Sequence, residues 1–335
     1  MLRSETAGHP DRTATALRGL RLYQEADRVA GPARTPIIAR VGRASVRDYG
    51  GANDRGAPAV LFVPSLINPP DVLDIDERRS LLRWLATRGL RPLLLDWGEP
   101  SAGENELNIA GHVETILLPL IDAIGAPVAL VGYCLGGTMA IAAAALRPVT
   151  ALGLIATPWR FGAYPDSTRD ALQDLWCTAE PATDALGVLP MEILQAAFWR
   201  LDPARTVAKY EAHAVRDPAD PQSQAFVRLE DWANDGPPLT RGAARELFLD
   251  LFAADLPGKG RWRVGGTIVD PRTFTMPMLE IASTTDHIVP AATTPGMGER
   301  IDLALGHVGM IVGGRAKQSL WEPLAEWLSR ATCPR

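Results

Sequence analysis

Short apolar runs alternate with longer segments of helical spacing through the first half of the chain. The runs are four to six residues long, which suits buried strands, and they lie at residues 59–63, 92–95, 128–131 and 150–155. Segments with helical spacing lie between and after them, at residues 81–88, 107–124 and 138–146. This alternation predicts an α/β fold with a mostly parallel sheet and helices on both faces.

The chain on either side of this alternation has a different pattern. Residues 1–34 predict an extension, with a disordered polar segment at 1–12 and a surface helix at 13–29. Residues 40–49 predict one strand, and the Gly-rich segment 50–56 predicts a turn.

The alternation stops between residues 157 and 270. Helical pieces there are separated by proline-rich breaks, and five of the nine tryptophans fall in this part. Two further strands follow, at 278–281 and 301–305, and a closing helix at 319–328. We therefore expect a mainly helical cap at 157–270, inserted into an α/β core formed by residues 35–156 and 271–335.

A candidate nucleophile lies between the strand at 128–131 and the next helix. Residues 132–136 read Gly-Tyr-Cys-Leu-Gly, the pattern of a nucleophile elbow with Cys134 in the position usually held by serine. Glycine leaves room for the tight bend, and the helix N-terminus favours a thiolate at Cys134. The pattern alone would also fit a buried structural cysteine. The flanking strand and helix favour the elbow.

Two amide groups are candidates for an oxyanion hole. The backbone N–H of Leu135, directly after the nucleophile, supplies one half. The loop after strand 59–63 supplies the other in elbow enzymes, and Leu66 is our first choice there, with Ile67 second.

A candidate acid and a candidate base follow the last two predicted strands. Asp286 comes after strand 278–281, and His307 comes after strand 301–305. The order of nucleophile, acid and base matches the α/β-hydrolase fold. His287 is interpreted as structural, His112 as structural or exposed, and Asp302 is a weaker alternative acid because it lies inside a strand.

Composition excludes several classes of protein. The net charge of −5 and the absence of a dominant Lys or Arg run argue against a nucleic-acid partner. Three scattered cysteines, Cys134, Cys177 and Cys333, form neither a disulfide framework nor a metal site and fit a reducing compartment. The sequence has no apolar run long enough for a membrane span or a signal peptide, so we expect a cytoplasmic protein.

Several motifs together resemble the polyhydroxyalkanoate (PHA) synthases, and most closely the class III catalytic subunit. The resemblance is carried by the segments at residues 63–68, 72–75, 95–98, 132–138, 286–290 and 306–309. It implies an α/β-hydrolase fold and an acyltransferase that takes the acyl group of (R)-3-hydroxyacyl-CoA onto Cys134. The acyl group then passes to a hydroxyl and extends a polyester. In this resemblance His307 is the general base and Asp286 its partner.

The resemblance also implies ligands and partners. The CoA thioester is a substrate and no cofactor or metal is expected. A homodimer through the cap, a second synthase subunit and an association with polymer granules are further implications. For the CoA phosphates the candidates near the cap are Arg160, Arg200, Arg205 and Lys209.

Two alternatives stay open from the sequence. One is a cysteine-dependent hydrolase that acts on thioesters, oligoesters or stored polymer. The other is a non-catalytic member that binds granules or a subunit.

Overall fold

A computed structural model describes residues 2–50 and 56–332. Most of the predicted turn at 50–56 and Cys333 lie outside the described residues. Eight strands form one sheet in the order β1-β2-β4-β3-β5-β6-β11-β12. These eight strands are β1 (Ile37–Val41), β2 (Ala44–Asp48), β3 (Ala59–Val63), β4 (Arg91–Asp96), β5 (Val128–Tyr133), β6 (Leu152–Ile155), β11 (Met278–Ser283) and β12 (Glu299–Leu303). Four further strands form two separate pairs, β7 (Val188–Leu189) with β8 (Leu239–Thr240) and β9 (Arg263–Val264) with β10 (Thr267–Ile268).

Helices cover both faces of the sheet and form the insertion. They are α1 (Leu2–Glu5), α2 (Pro10–Glu25), α3 (Leu81–Ala86), α4 (Ile109–His112), α5 (Leu118–Ile124), α6 (Leu135–Leu146), α7 (Asp166–Leu186), α8 (Met191–Leu201), α9 (Pro203–Ala214), α10 (Pro221–Asn234), α11 (Arg241–Arg245), α12 (Gly309–Val312) and α13 (Glu322–Thr332). Two π-helical segments, Val113–Leu117 and Glu246–Ala253, directly follow α4 and α11. A third, Lys317–Trp321, directly precedes α13. Short 3₁₀ turns lie at Pro70–Leu73, Ala102–Glu104, Phe161–Ala163, Pro271–Thr273 and Ala291–Thr293.

Six neighbouring strands of the sheet, in the order β4-β3-β5-β6-β11-β12, pair in parallel, as the alternation predicted. Strands β3, β5, β6 and β11 are buried along their whole length, because helices pack on both faces. Two apolar layers, one on each side of the sheet, form the core. The register pairs Val63 with Gly132 and Tyr133 with Ile155, so these three strands end together at one edge.

The prediction of a single strand at 40–49 is wrong. The chain there turns at Gly42, whose φ of 54° is left-handed, and β1 and β2 form an antiparallel hairpin. Strand β2 then pairs antiparallel with β4, so the hairpin extends one end of the sheet.

The prediction of disorder at 1–12 is also wrong for the described residues 2–12. Helix α1 and the beginning of α2 lie there. Helix α2 packs on α9 of the insertion, and Gly19 lies so close to the Tyr210 carbonyl that a Cβ would overlap it. Arg12 pairs with Glu211 at 2.8 Å across this contact. The extension therefore covers the cap helices.

Arg43, at the hairpin turn, connects the end of the sheet to α4. Its guanidinium donates to the Trp97 carbonyl at 2.8 Å and approaches His112 Nε2 at 2.7 Å. His112 Nδ1 lies 2.8 Å from the Asn108 carbonyl, so we assign the proton to Nδ1 and the acceptor role to Nε2. Burial, with the nearby charge of Arg43, lowers the pKa of His112 to about 4. His112 is thus a neutral structural histidine.

The low pKa of His112 predicts an acid-sensitive fold. In the unfolded chain His112 becomes protonated near pH 6.5, whereas in the folded protein it becomes protonated only near pH 4. The contribution of this histidine is therefore complete above pH 6.5 and decreases, by on the order of 3 kcal/mol, as the pH falls to about 4. Urea unfolding from pH 7 to pH 4.5 should show a shallower loss of stability in His112→Gln than in the wild type. Equal slopes in the two proteins would contradict this account.

Candidate active site

Cys134 lies at a sharp turn between β5 and α6. Its backbone has φ 57° and ψ −132°, a conformation that non-glycine residues rarely adopt. The turn directs the chain straight from the buried strand into the helix, so the cysteine stands at the edge where the parallel strands end. Its side chain is partly exposed and lines a cavity. This is the geometry that the Gly-Tyr-Cys-Leu-Gly pattern predicted.

The turn depends on close contacts at three glycines. A Cβ on Gly132 would overlap the backbone of Gly137, and a Cβ on Gly137 would overlap the Thr157 side chain. A Cβ on Gly136 would overlap the carbonyl groups of Val63 and Pro64. The last contact brings the loop after β3 against the beginning of α6.

His307 and Asp286 form a buried pair beside the turn. His307 Nδ1 lies 2.6 Å from Asp286 Oδ2, and the exposed fractions of the two residues are 9% and 4%. The other carboxylate oxygen accepts the backbone N–H groups of Ile288 and Val289 at 2.8 and 3.0 Å, which fixes the acid in place. Because Nδ1 is engaged, Nε2 is the ring nitrogen free to serve Cys134. Cys134 is one of the groups that raise the pKa of His307, so the two side chains are electrostatically coupled.

The electrostatics of the pair favour a charged imidazole. Burial opposes the charge, but the charges of Asp286 and Cys134 outweigh it and raise the pKa of His307 to about 10. The stability that this charge contributes is complete below the ordinary histidine value of 6.5 and is lost as the pH rises through about 10. The raised pKa therefore favours the protonated form of His307 at neutral pH.

The candidate oxyanion donors lie on the two elements that meet at Gly136. Leu135 is the first residue of α6 and is buried. Leu66 lies in the loop after β3, while the N–H of Ile67, our second choice, already donates to Ser65 Oγ at 3.1 Å. The contact at Gly136 and the engaged N–H of Ile67 favour Leu66 as the loop partner of Leu135. Both assignments stay predictions.

A cavity of about 270 Å³ joins these groups. One wall comes from the core loops that carry Cys134, Asp286 and His307. The opposite wall comes from the cap. It is formed by the apolar residues Phe198, Trp199, Leu201, Trp232 and Ala233 together with the polar or charged residues Gln195, Asp202, Arg205, Thr206 and Lys209. The cap thus faces Cys134 with both apolar and polar side chains.

The end of α10 also holds the candidate oxyanion loop. Trp232 lines the cavity, and its Nε1–H donates to the Pro69 carbonyl at 2.8 Å. The Asn68 amide donates in return to the carbonyls of Trp232 and Asp235, at 3.4 and 3.3 Å. Sequence reasoning missed this link, because nothing in the tryptophan pattern distinguishes Trp232 from the others in the cap.

The remaining candidates fall in different places. Asp302 is exposed on β12 and pairs with Arg300 at 2.9 Å, away from His307. His287, interpreted as structural, is instead exposed and lines the cavity.

The four candidate phosphate ligands also separate. Arg205 and Lys209 line the cavity, although Lys209 pairs with Glu230. Arg160 donates to the Thr294 carbonyl at 2.9 Å. The side chain of Arg200 lies outside the described part of the chain.

No group of three or more His, Cys, Asp or Glu side chains in residues 2–50 and 56–332 is arranged to hold a metal ion. Within the same residues, no helix combines the length and apolar character needed to cross a membrane.

Comparison with curated proteins identifies relatives of one kind. The chain is 30% identical over 294 residues to the poly(3-hydroxyalkanoate) polymerase subunit PhaC of Haloferax mediterranei, covering 81% of this chain and 58% of that protein. The chain thus spans less than two thirds of the length of this relative. The PhaC subunit of Allochromatium vinosum is 29% identical, with 83% of this chain and 82% of that protein covered.

Solved structures show the fold. A Bacillus megaterium epoxide hydrolase has a TM-score of 0.57 at 13% identity and covers 88% of this chain and 100% of its own. A Thermogutta terrifontis esterase has a TM-score of 0.54 at 17% identity and covers 90% and 100%. No protein-family model matches the chain. The chain therefore has the α/β-hydrolase fold and is similar in sequence to the PhaC subunits of poly(3-hydroxyalkanoate) polymerase.

Proposed function

We propose that this protein is a PHA synthase-like acyltransferase that carries the growing acyl group on Cys134. One observation carries the proposal: Cys134 stands at a strained elbow, next to the buried His307–Asp286 pair, in a chain whose curated relatives are named poly(3-hydroxyalkanoate) polymerase subunits. The substrate is an (R)-3-hydroxyacyl-CoA thioester. The relatives' names do not favour a hydrolase or a non-catalytic member of the family.

The first step transfers the acyl group from CoA to the enzyme. His307 takes the proton of Cys134, and the thiolate attacks the thioester carbonyl. The C–S bond to CoA breaks, and His307 gives this proton to the departing CoA thiolate. The high pKa of His307 means that this proton is present at neutral pH. Sulfur replaces sulfur, so the exchange is nearly balanced in energy. The backbone N–H groups of Leu135 and Leu66 stabilise the oxyanion.

The second step extends the polymer. A hydroxyl group enters the cavity, gives its proton to His307, and attacks the thioester on Cys134. A new ester bond forms, and the sulfur of Cys134 is released. Asp286 holds the imidazole in the tautomer that both steps need. Phe198, Trp199 and Trp232 provide an apolar wall that excludes water and so favours the hydroxyl acceptor over hydrolysis.

The resemblance to class III synthases extends the proposal to assembly and location. We expect a second synthase subunit, a homodimer that forms through the cap, and a cytoplasmic protein associated with polymer granules. Support comes from the relatives, whose names describe PhaC as a subunit. The proposal includes no cofactor and no metal. CoA takes part only as the leaving group of the substrate.

The proposal predicts CoA release together with chain growth. Pure protein incubated with (R)-3-hydroxybutyryl-CoA should release CoA and produce oligomeric ester, measured with a thiol reagent and by mass spectrometry of the product. Cys134→Ala should reduce CoA release by roughly three orders of magnitude or more, because the nucleophile is lost. Cys177→Ser is the matched control, since Cys177 is exposed on α7 outside the cavity.

Three results would contradict this assignment. Free 3-hydroxy acid as the sole product would identify a hydrolase instead. An acyl adduct that survives Cys134→Ala would reject Cys134 as the nucleophile. Absence of CoA release, even with a second synthase subunit added, would reject the acyltransferase.

The charge of Asp286 predicts a shift in the pH profile. Asp286→Asn removes the largest interaction that raises the pKa of His307, so the imidazolium loses its proton at a lower pH than about 10. The alkaline limb of kcat/KM should move to lower pH, and kcat should fall roughly 10²-fold or more through loss of the tautomer. Asp302→Asn, on the exposed side of β12, should leave both unchanged. An alkaline limb at the same pH in Asp286→Asn would argue against this pairing.

A further inference from the structure

Tyr133 contacts both the ring and the backbone of the candidate base. Its ring stacks on the His307 imidazole with centroids 5.0 Å apart and planes tilted by 26°. Its hydroxyl donates to the His307 carbonyl at 3.2 Å. Tyr133 is 4% exposed and immediately precedes Cys134 in the elbow. One side chain on β5 therefore connects the nucleophile's strand to the loop that carries the base.

We propose that Tyr133 is a positioning residue for His307, which holds the imidazole edge toward Cys134 and stabilises its charged form through the face of the aromatic ring. The proposal rests on the proposed function, in which His307 carries a proton between Cys134 and the leaving or entering group. It adds a residue beyond the nucleophile, acid and base.

The geometry supports the two roles separately. An aromatic face within about 6 Å of a cation attracts it, most strongly where water is excluded. His307 and Tyr133 are both buried, so the ring of Tyr133 replaces water as the neighbour of one imidazole face. The hydroxyl contact fixes the backbone of His307, and with it the direction in which the ring enters the site. Because Asp286 holds only Nδ1, the stack is needed to fix the rotation of the ring about that hydrogen bond.

The experiment must separate the effect of Tyr133 from the effects of the other groups around His307. Asp286 and Cys134 raise the pKa of the imidazole, and Arg205 of α9 lies beside Gly306. His287 is exposed on the acid loop, and the Tyr164 hydroxyl donates to the Ile288 carbonyl at 3.1 Å. Burial keeps the pKa of Tyr133 well above its usual value, so its hydroxyl remains a neutral donor throughout the working range. None of these groups stacks on the imidazole in the described part of the chain.

The test compares two substitutions of Tyr133 in the full-length protein. Tyr133→Phe keeps the stack and removes the hydrogen bond, so kcat should fall by no more than roughly threefold. Tyr133→Leu removes both contacts. It should lower the pKa of His307 by roughly one unit and kcat roughly tenfold, with KM unchanged. The titration is followed by NMR of the labelled imidazole and assigned with His307→Gln.

A matched control separates positioning from packing. Trp327 lies in the same core layer as Tyr133 but packs beside Gly153 of β6. Trp327→Leu should reduce stability while His307 titrates as in the wild type. An unchanged His307 titration in Tyr133→Leu would overturn the proposal, whatever happens to kcat. A lowered titration in a protein that does not release CoA from its substrate would support the positioning role and reject only the proposed function.

Discussion

The site depends on how closely the backbone passes itself at the elbow. Gly132, Gly136 and Gly137 each lie where a Cβ would overlap a neighbouring group, so a larger residue at any of the three would force the bend or its neighbours to shift. The bend places Cys134 at the sheet edge with a left-handed φ of 57°. Neighbouring parallel strands hold this strain, since β5 is buried on both faces between β3 and β6.

The same packing brings the other candidate residues to the same edge of the sheet. Gly136 touches the carbonyl groups at the end of β3, which places the loop with Leu66 beside the beginning of α6. Asp286 follows β11 and His307 follows β12, and these two strands pair in parallel, so their loops reach the same edge of the sheet. The parallel register of the sheet thus places the candidate residues at one edge. The cap contributes the opposite wall of the cavity without supplying a member of the predicted triad.

Residue type and spacing were enough to predict the elbow, the order of Cys134, Asp286 and His307, and the parallel core, because each is a local consequence of the sequence. The hairpin at Gly42 was missed, although a lone glycine inside a strand pattern is a recognised sign that the strand is interrupted. Contacts between distant segments were beyond reach. Nothing local indicates that α2 packs on α9, that Trp232 bonds to Pro69, or that Tyr133 stacks on His307.

In the proposed function, the bond between Trp232 and the Pro69 carbonyl ties the fit of the substrate to the rate of the reaction. Trp232 is part of the cavity wall, so replacing it with a smaller residue to admit a bulkier acyl chain also releases the loop that carries Leu66. Phe198 faces the same cavity from α8 with a side chain that has no hydrogen-bonding group. Evolution toward new monomers therefore has a freer path through Phe198 than through Trp232, where a gain in breadth carries a loss in speed.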